Sequence, residues 1–73
     1  MKDKRIKNFQ IAALLLISKG IKFKFNTSYL EVSGSFDISF DSNDKNKVWI
    51  DQTGDWIPFS DPKEFKSFIE KII

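Results

Sequence analysis

The chain contains no cysteine and no histidine. The first absence excludes disulfides and thiolate zinc sites. The second removes imidazole, the usual general base and a common metal ligand. Nucleophile–base pairs built on either residue are therefore excluded, and no Ser–Lys pairing stands out. Glycine and proline are scarce, three and two residues. Each glycine is isolated, so no Gly-rich loop can cradle a phosphate. Long apolar runs are missing as well: the longest, Ile11 to Ile17, falls far short of the roughly 20 residues that span a bilayer. Residues 1–17 imitate a signal peptide, with a basic start before a short apolar run. Ser18-Lys19-Gly20 fits a cleavage site poorly, so the expectation is a retained segment of a cytoplasmic protein.

What remains is a chain of 73 residues, 41% hydrophobic and 30% charged, with eight Phe and ten Ile. That composition belongs to a globular chain rather than a disordered one. The length predicts one small domain over 1–73. Such a chain buries only about 60% of its unfolded surface, and without staples the core must carry the fold alone. The abundance of Lys, Ile, Phe and Asn points to an AT-rich coding genome, of a bacterium or a mobile element. Charge is divided unevenly. Residues 1–24 carry seven positive and one negative side chain, +6, and residues 25–73 carry five positive and nine negative, −4. A basic arm on an acidic body gives two electrostatic faces.

A first helix is expected over Lys4 to Lys19, stopped by Gly20. Ile6, Phe9, Ala13, Leu16 and Ile17 fall on one stripe at about 100° per residue. Ile11, Leu14 and Leu15 form a second apolar patch, a candidate contact for a partner chain or a second copy through Ile11 and Leu15. Four alternating segments follow, around Ile21–Phe25, Tyr29–Ser33, Phe36–Phe40 and Lys47–Asp51, with a last short strand over Asp55–Phe59. Turn residues separate them. Asp61 as N-cap, Pro62 at the first helical position and Glu64 open a second helix, in which Phe65, Phe68, Ile69 and Ile72 form one stripe. The fold class is α+β: two layers, an N-terminal helix, a five-stranded antiparallel β-meander and a C-terminal helix, with both helices on one sheet face.

Register follows from the alternation, because a slip of one residue sends every side chain to the other face. Phe25 pairs with Leu30 and Phe23 with Val32. A three-residue Ser33-Gly34-Ser35 loop sets Val32 against Phe36 and Leu30 against Ile38. Phe40 pairs with Val48, setting Ile38 against Ile50. A three-residue Gln52-Thr53-Gly54 loop sets Asp51 against Asp55, Ile50 against Trp56 and Trp49 against Ile57. Glu31, Asp37, Asp51 and Asp55 then form one carboxylate row on the solvent face, with Lys24 opposite Glu31 to neutralise that end. Like charges directly opposed on neighbouring strands are destabilising, so this row is the strongest functional hint in the chain. Trp49 and Ile57 share its face, and Trp anchors many protein interfaces.

Other readings of these residues compete. Carboxylates splayed apart on a solvated face, with Trp49 lying flat, would need no function. Mg²⁺ or Ca²⁺ would suit the oxygens, but a flat row converges few of them. Asp41 to Asn46 resembles an EF-hand start with Lys45, Asn46 and Gln52 at discordant positions, and reads as a polar hairpin loop. Lys2, Lys4, Arg5, Lys7, Lys22 and Lys24, near Tyr29, could grip a nucleic-acid strand, although the acidic sheet centre opposes phosphate. In size, composition and lack of catalytic side chains the chain is similar to small phage-encoded inhibitors, such as anti-CRISPR or anti-restriction proteins; the likeness is one of character and covers no motif. The sequence thus predicts a non-enzymatic protein-binding module, without cofactor, metal or membrane, that presents Glu31, Asp37, Asp51, Asp55, Trp49 and Ile57 to a basic partner site. A basic-arm nucleic-acid binder and a structural homo-oligomer are the alternatives.

Overall fold

The structure, a computed structural model, describes residues 3–52 and 54–73. Helix α1 (Lys4–Ser18) is followed by strands β1 (Lys24–Phe25), β2 (Tyr29–Val32), β3 (Phe36–Phe40), β4 (Val48–Asp51) and β5 (Trp56–Phe59), and then by α2 (Pro62–Ile72). The strands form one antiparallel sheet in the order β1-β2-β3-β4-β5. This is the expected α+β meander with a helix at each end.

The sheet's inner face is built of apolar rows. Phe25, Leu30, Ile38, Ile50 and Ile57 pair successively across all five strands, and Phe40, Val48 and Phe59 make a shorter parallel row. Leu30, Ile38, Val48 and Ile50 are fully buried, together with Leu16 of α1 and Phe65 and Ile69 of α2. Each such side chain stabilises the fold by roughly 1.5–3 kcal/mol relative to exposure. Local signals fix the ends. The Asp3 carboxylate accepts the Arg5 N–H at the start of α1, and Asp61 accepts the Lys63 N–H at the start of α2. Gly20 (φ +71°) ends α1 in the left-handed region that glycine enters without strain. The Ser33–Ser35 turn has the expected length, with Ser35 N–H donating to the Val32 carbonyl at 3.0 Å.

Three expectations are corrected. First, β1 is shorter than its alternation suggested: the ladder comprises Lys24–Glu31 and Phe25–Leu30 only, and Phe23 packs against the core outside it. Second, β5 is shifted by one residue. Asp51 pairs with Trp56, Ile50 with Ile57, Trp49 with Pro58 and Val48 with Phe59. The loop therefore runs over 52–55. Gly54 (φ +92°) donates its N–H to Asp51 Oδ1 at 2.8 Å within it. Residues 56–59 are apolar throughout, so alternation alone does not orient this strand. Helix α2 does: Phe59 turns inward to meet Phe65 and Phe68, with ring centroids 5.8 and 5.0 Å away. Trp56 and Pro58 turn outward. Third, α1 is rolled relative to its expected stripe. Its buried side is Asn8, Phe9, Ala12 and Leu16, while Ile6 and Ile17 are 51% and 63% exposed. Ile11 and Leu15 pack against the core on the flank beside Asn8, whose side chain reaches the Ser60 carbonyl just ahead of α2. The two helices lie against one another, so Ile11 and Leu15 are not an uncovered patch for a second copy.

Candidate functional site: the open face of the sheet

The face of the sheet away from the helices is ordered by the same register. One row reads Lys24, Glu31, Asp37, Asp51, Trp56 from β1 to β5. The row beside it reads Tyr29, Ser39, Trp49, Pro58 from β2 to β5. Three of the four expected carboxylates are thus directly opposed on adjacent central strands, spanning about 10 Å at the usual interstrand distance. Asp55 is not among them. It lies in the β4–β5 loop, exposed, and the longer loop puts Trp56 in the place expected for it. Ile57 likewise leaves this face for the helix side. Among the described residues the only ion pair is Arg5–Asp3 at 2.8 Å, so Lys24 does not neutralise Glu31 by direct contact.

The aromatic residues sort by face. Phe25, Phe36, Phe40 and Phe59, the phenylalanines of the strands, all sit on the helix side. Both tryptophans and the only tyrosine sit on the open side. Each of these three has a polar edge that suits a wet surface better than a dry core.

Trp49 is held in place. Its indole N–H donates to Asp41 Oδ2 at 2.9 Å, and the Lys47 ammonium lies 5.7 Å from its ring centroid. Asp41 also accepts the N–H groups of Asn43 and Asp44 at Oδ1, both at 2.8 Å, which folds the 41–46 loop. The Trp49 indole bond, followed by those two backbone bonds, pulls the Asp41 carboxyl down to about 2. That carboxylate is committed to its own loop, and no group of carboxylates suited to a metal ion occurs among the described residues. Tyr29 is half-buried; loss of water, followed by the nearby Asp37 carboxylate of the neighbouring strand, raises its hydroxyl above the ordinary 10.0. Trp56 is unconstrained by comparison and 47% exposed. Sequence reasoning missed it because the shorter loop turned it inward; the signal that could have found it is Phe59, which only the longer loop delivers to α2.

The basic candidates are scattered. Arg5 is spent inside the fold: its guanidinium grips both Asp3 oxygens at 2.9 and 2.8 Å, donates to the Asp41 carbonyl at 2.7 Å and stacks 4.7 Å from the Phe40 ring centroid. Lys4 and Lys7 are exposed on α1, whereas Lys24 belongs to the open face of the sheet, with Lys22 beside it. Lys2 lies outside the described residues. No helix among the described residues is long and apolar enough to cross a membrane. Comparison of the chain with protein-family models, with curated proteins and with solved structures gives no match.

Proposed function

We propose that the protein is a non-enzymatic binding module whose open sheet face receives a basic site on a partner protein. The observation that carries this reading is the run of Glu31, Asp37 and Asp51 on three adjacent strands, flanked by Tyr29, Trp49 and Trp56. Opposed like charges cost up to about 1 kcal/mol per pair; Asp51 offsets part of this by accepting the Gly54 N–H in its own loop, but that bond does not require Glu31 and Asp37 to stand opposite it. A guanidinium would answer both halves of the arrangement. It forks onto carboxylates and stacks on aromatic faces, so an arginine placed between Asp51 and Trp56 would engage both. The carboxylates supply steering and orientation, and Trp56 and Trp49 supply the anchoring area. Asp55, exposed in the adjoining loop, adds charge to the rim. A phage or mobile-element inhibitor of a nucleic-acid-binding enzyme would present such a face.

The test is capture of partners from the native host by the wild type and by an Asp37→Asn/Asp51→Asn variant. The proposal expects a protein retained by the wild type and lost from the variant, with the variant at least as stable. Equal retention by both would refute it. The nucleic-acid alternative rests on Lys4, Lys7, Lys22 and Lys24, and a mobility shift at low salt that disappears at high salt would favour it instead.

A further inference from the structure

The sheet has two edges, and they differ. At β5 the outer strand contains Pro58, which has no N–H to offer. At β1 the strand Lys24–Phe25 has a neighbour only on its β2 side. Beside this second edge, between it and α1, runs an apolar groove of about 350 Å³. Ile6 and Ala13 form its helix wall, Phe23 and Phe25 its strand wall, and Phe9 and Phe40 its floor. In the floor Phe9 meets Phe40 edge-on at 4.4 Å, and it meets Phe25 of the strand wall edge-on at 5.6 Å. The rim is not covered, since Ile6 and Phe25 are 51% and 60% exposed. On the other side of the strand, Lys22 and Lys24 are exposed and have no carboxylate within ion-pair distance among the described residues.

From this placement we infer that the β1 edge and its groove accept an extended acidic segment of another protein as a sixth strand. Backbone pairing to a free edge supplies affinity without regard to sequence, and alternate side chains supply selectivity. Residues pointing to the helix side would enter the groove against Phe25 and Ile6, and must be apolar. Their neighbours would point to the open side, beside Lys22 and Lys24, and must be acidic. A second copy of this chain does not meet the requirement. Two β1 strands laid together would bring Lys22 and Lys24 of each copy into opposition, and α1 from Lys4 to Ser18 carries no negative residue to offset them. The same lysines that repel a copy attract an acidic strand, which is how an edge combines protection with selectivity.

A short synthetic peptide alternating Asp or Glu with Ile or Val, added to isotope-labelled full-length protein, tests this by amide NMR. The expected result is shifts centred on Lys24 and Phe25, with Trp49 and Trp56 signals unmoved. Affinity should fall about tenfold in a Lys22→Glu/Lys24→Glu variant whose β2–β4 amides remain in place, and should fall again in Phe25→Ser. The inference is overturned if the acidic peptide leaves β1 unmoved, or if a matched peptide alternating Lys with Ile or Val binds as tightly. It is equally overturned if the free protein dimerises through β1, or if anionic phosphatidylserine vesicles shift the groove residues while the peptide does not. Because the readouts lie at β1, failure here leaves the open-face proposal standing, and failure there leaves this one.

Discussion

The two faces of the same sheet follow different rules. On the helix side every row is apolar, the central positions are fully buried, and α1 and α2 fill the space between them. On the open side three carboxylates oppose one another, and the aromatic residues with polar edges stand among them. One strand serves both: Ile38 is sealed beneath the helices while Asp37 beside it faces two acids. The comparison teaches that the fold's stability is gathered on one face, so the other is free to carry side chains that stability would not select.

The largest effect should come from the covered face. Ile38→Ala and Ile50→Ala each remove a fully buried side chain, and each should cost about 2–5 kcal/mol in denaturant unfolding. In a domain of this size that approaches the whole stability. Next comes the strand that differs from its expected register. Phe59→Ser should destabilise by about 2 kcal/mol, whereas Trp56→Ser, on the open side, should change stability by less than about 0.5 kcal/mol. A reversed ranking would mean that β5 pairs one residue earlier.

Two smaller effects concern pH. Asp41 titrates at about 2 in the fold against an ordinary 3.8. The unfolded chain therefore binds the proton more tightly, so the stability that Asp41 contributes is complete above about pH 4 and is lost as pH falls toward 2. Asp41→Asn should flatten that part of the acid limb and free the Trp49 indole, seen as a shift in its Nε1–H resonance. Tyr29 runs the other way. Its hydroxyl is raised above 10.0, so the fold holds a proton that the unfolded chain has lost, and stability should decline as pH rises through 10. Asp37→Asn should bring the Tyr29 titration, followed by ultraviolet absorbance, back toward its ordinary value.

Much of this architecture was legible in the sequence, and the exceptions share a cause. Strands β2, β3 and β4 alternate strictly, so Leu30, Ile38 and Ile50 could sit only on one face, and Glu31, Asp37 and Asp51 followed. Around Trp56-Ile57-Pro58-Phe59 no polar residue marks the outside, and a distant contact, Phe59 with α2, decides the register. That contact moved Asp55 out of the carboxylate row into the loop, turned Ile57 to the helix side and supplied Trp56. Helix α1 has the same ambiguity. It is apolar over most of its circumference, so Ala12 and Ala13 are equivalent by pattern. In the fold Asn8, Phe9, Ala12 and Leu16 form the buried side, and Ile11 and Leu15 lie partly buried against the core. Arg5 looked like a free cation because its partners, Asp3 aside, are distant in sequence: the Phe40 ring and the 41–46 loop.

The central claim is that the carboxylate row costs the fold something and is kept for another purpose. The direct measurement is denaturant unfolding of the wild type and of Asp37→Asn/Asp51→Asn, at low salt and at 1 M salt, where the screening length is about 3 Å. The account predicts that the neutralised variant, which removes two opposed pairs, is more stable at low salt by up to about 2 kcal/mol, and that the gap narrows at high salt. A wild type equal to or more stable than the variant at low salt would contradict it.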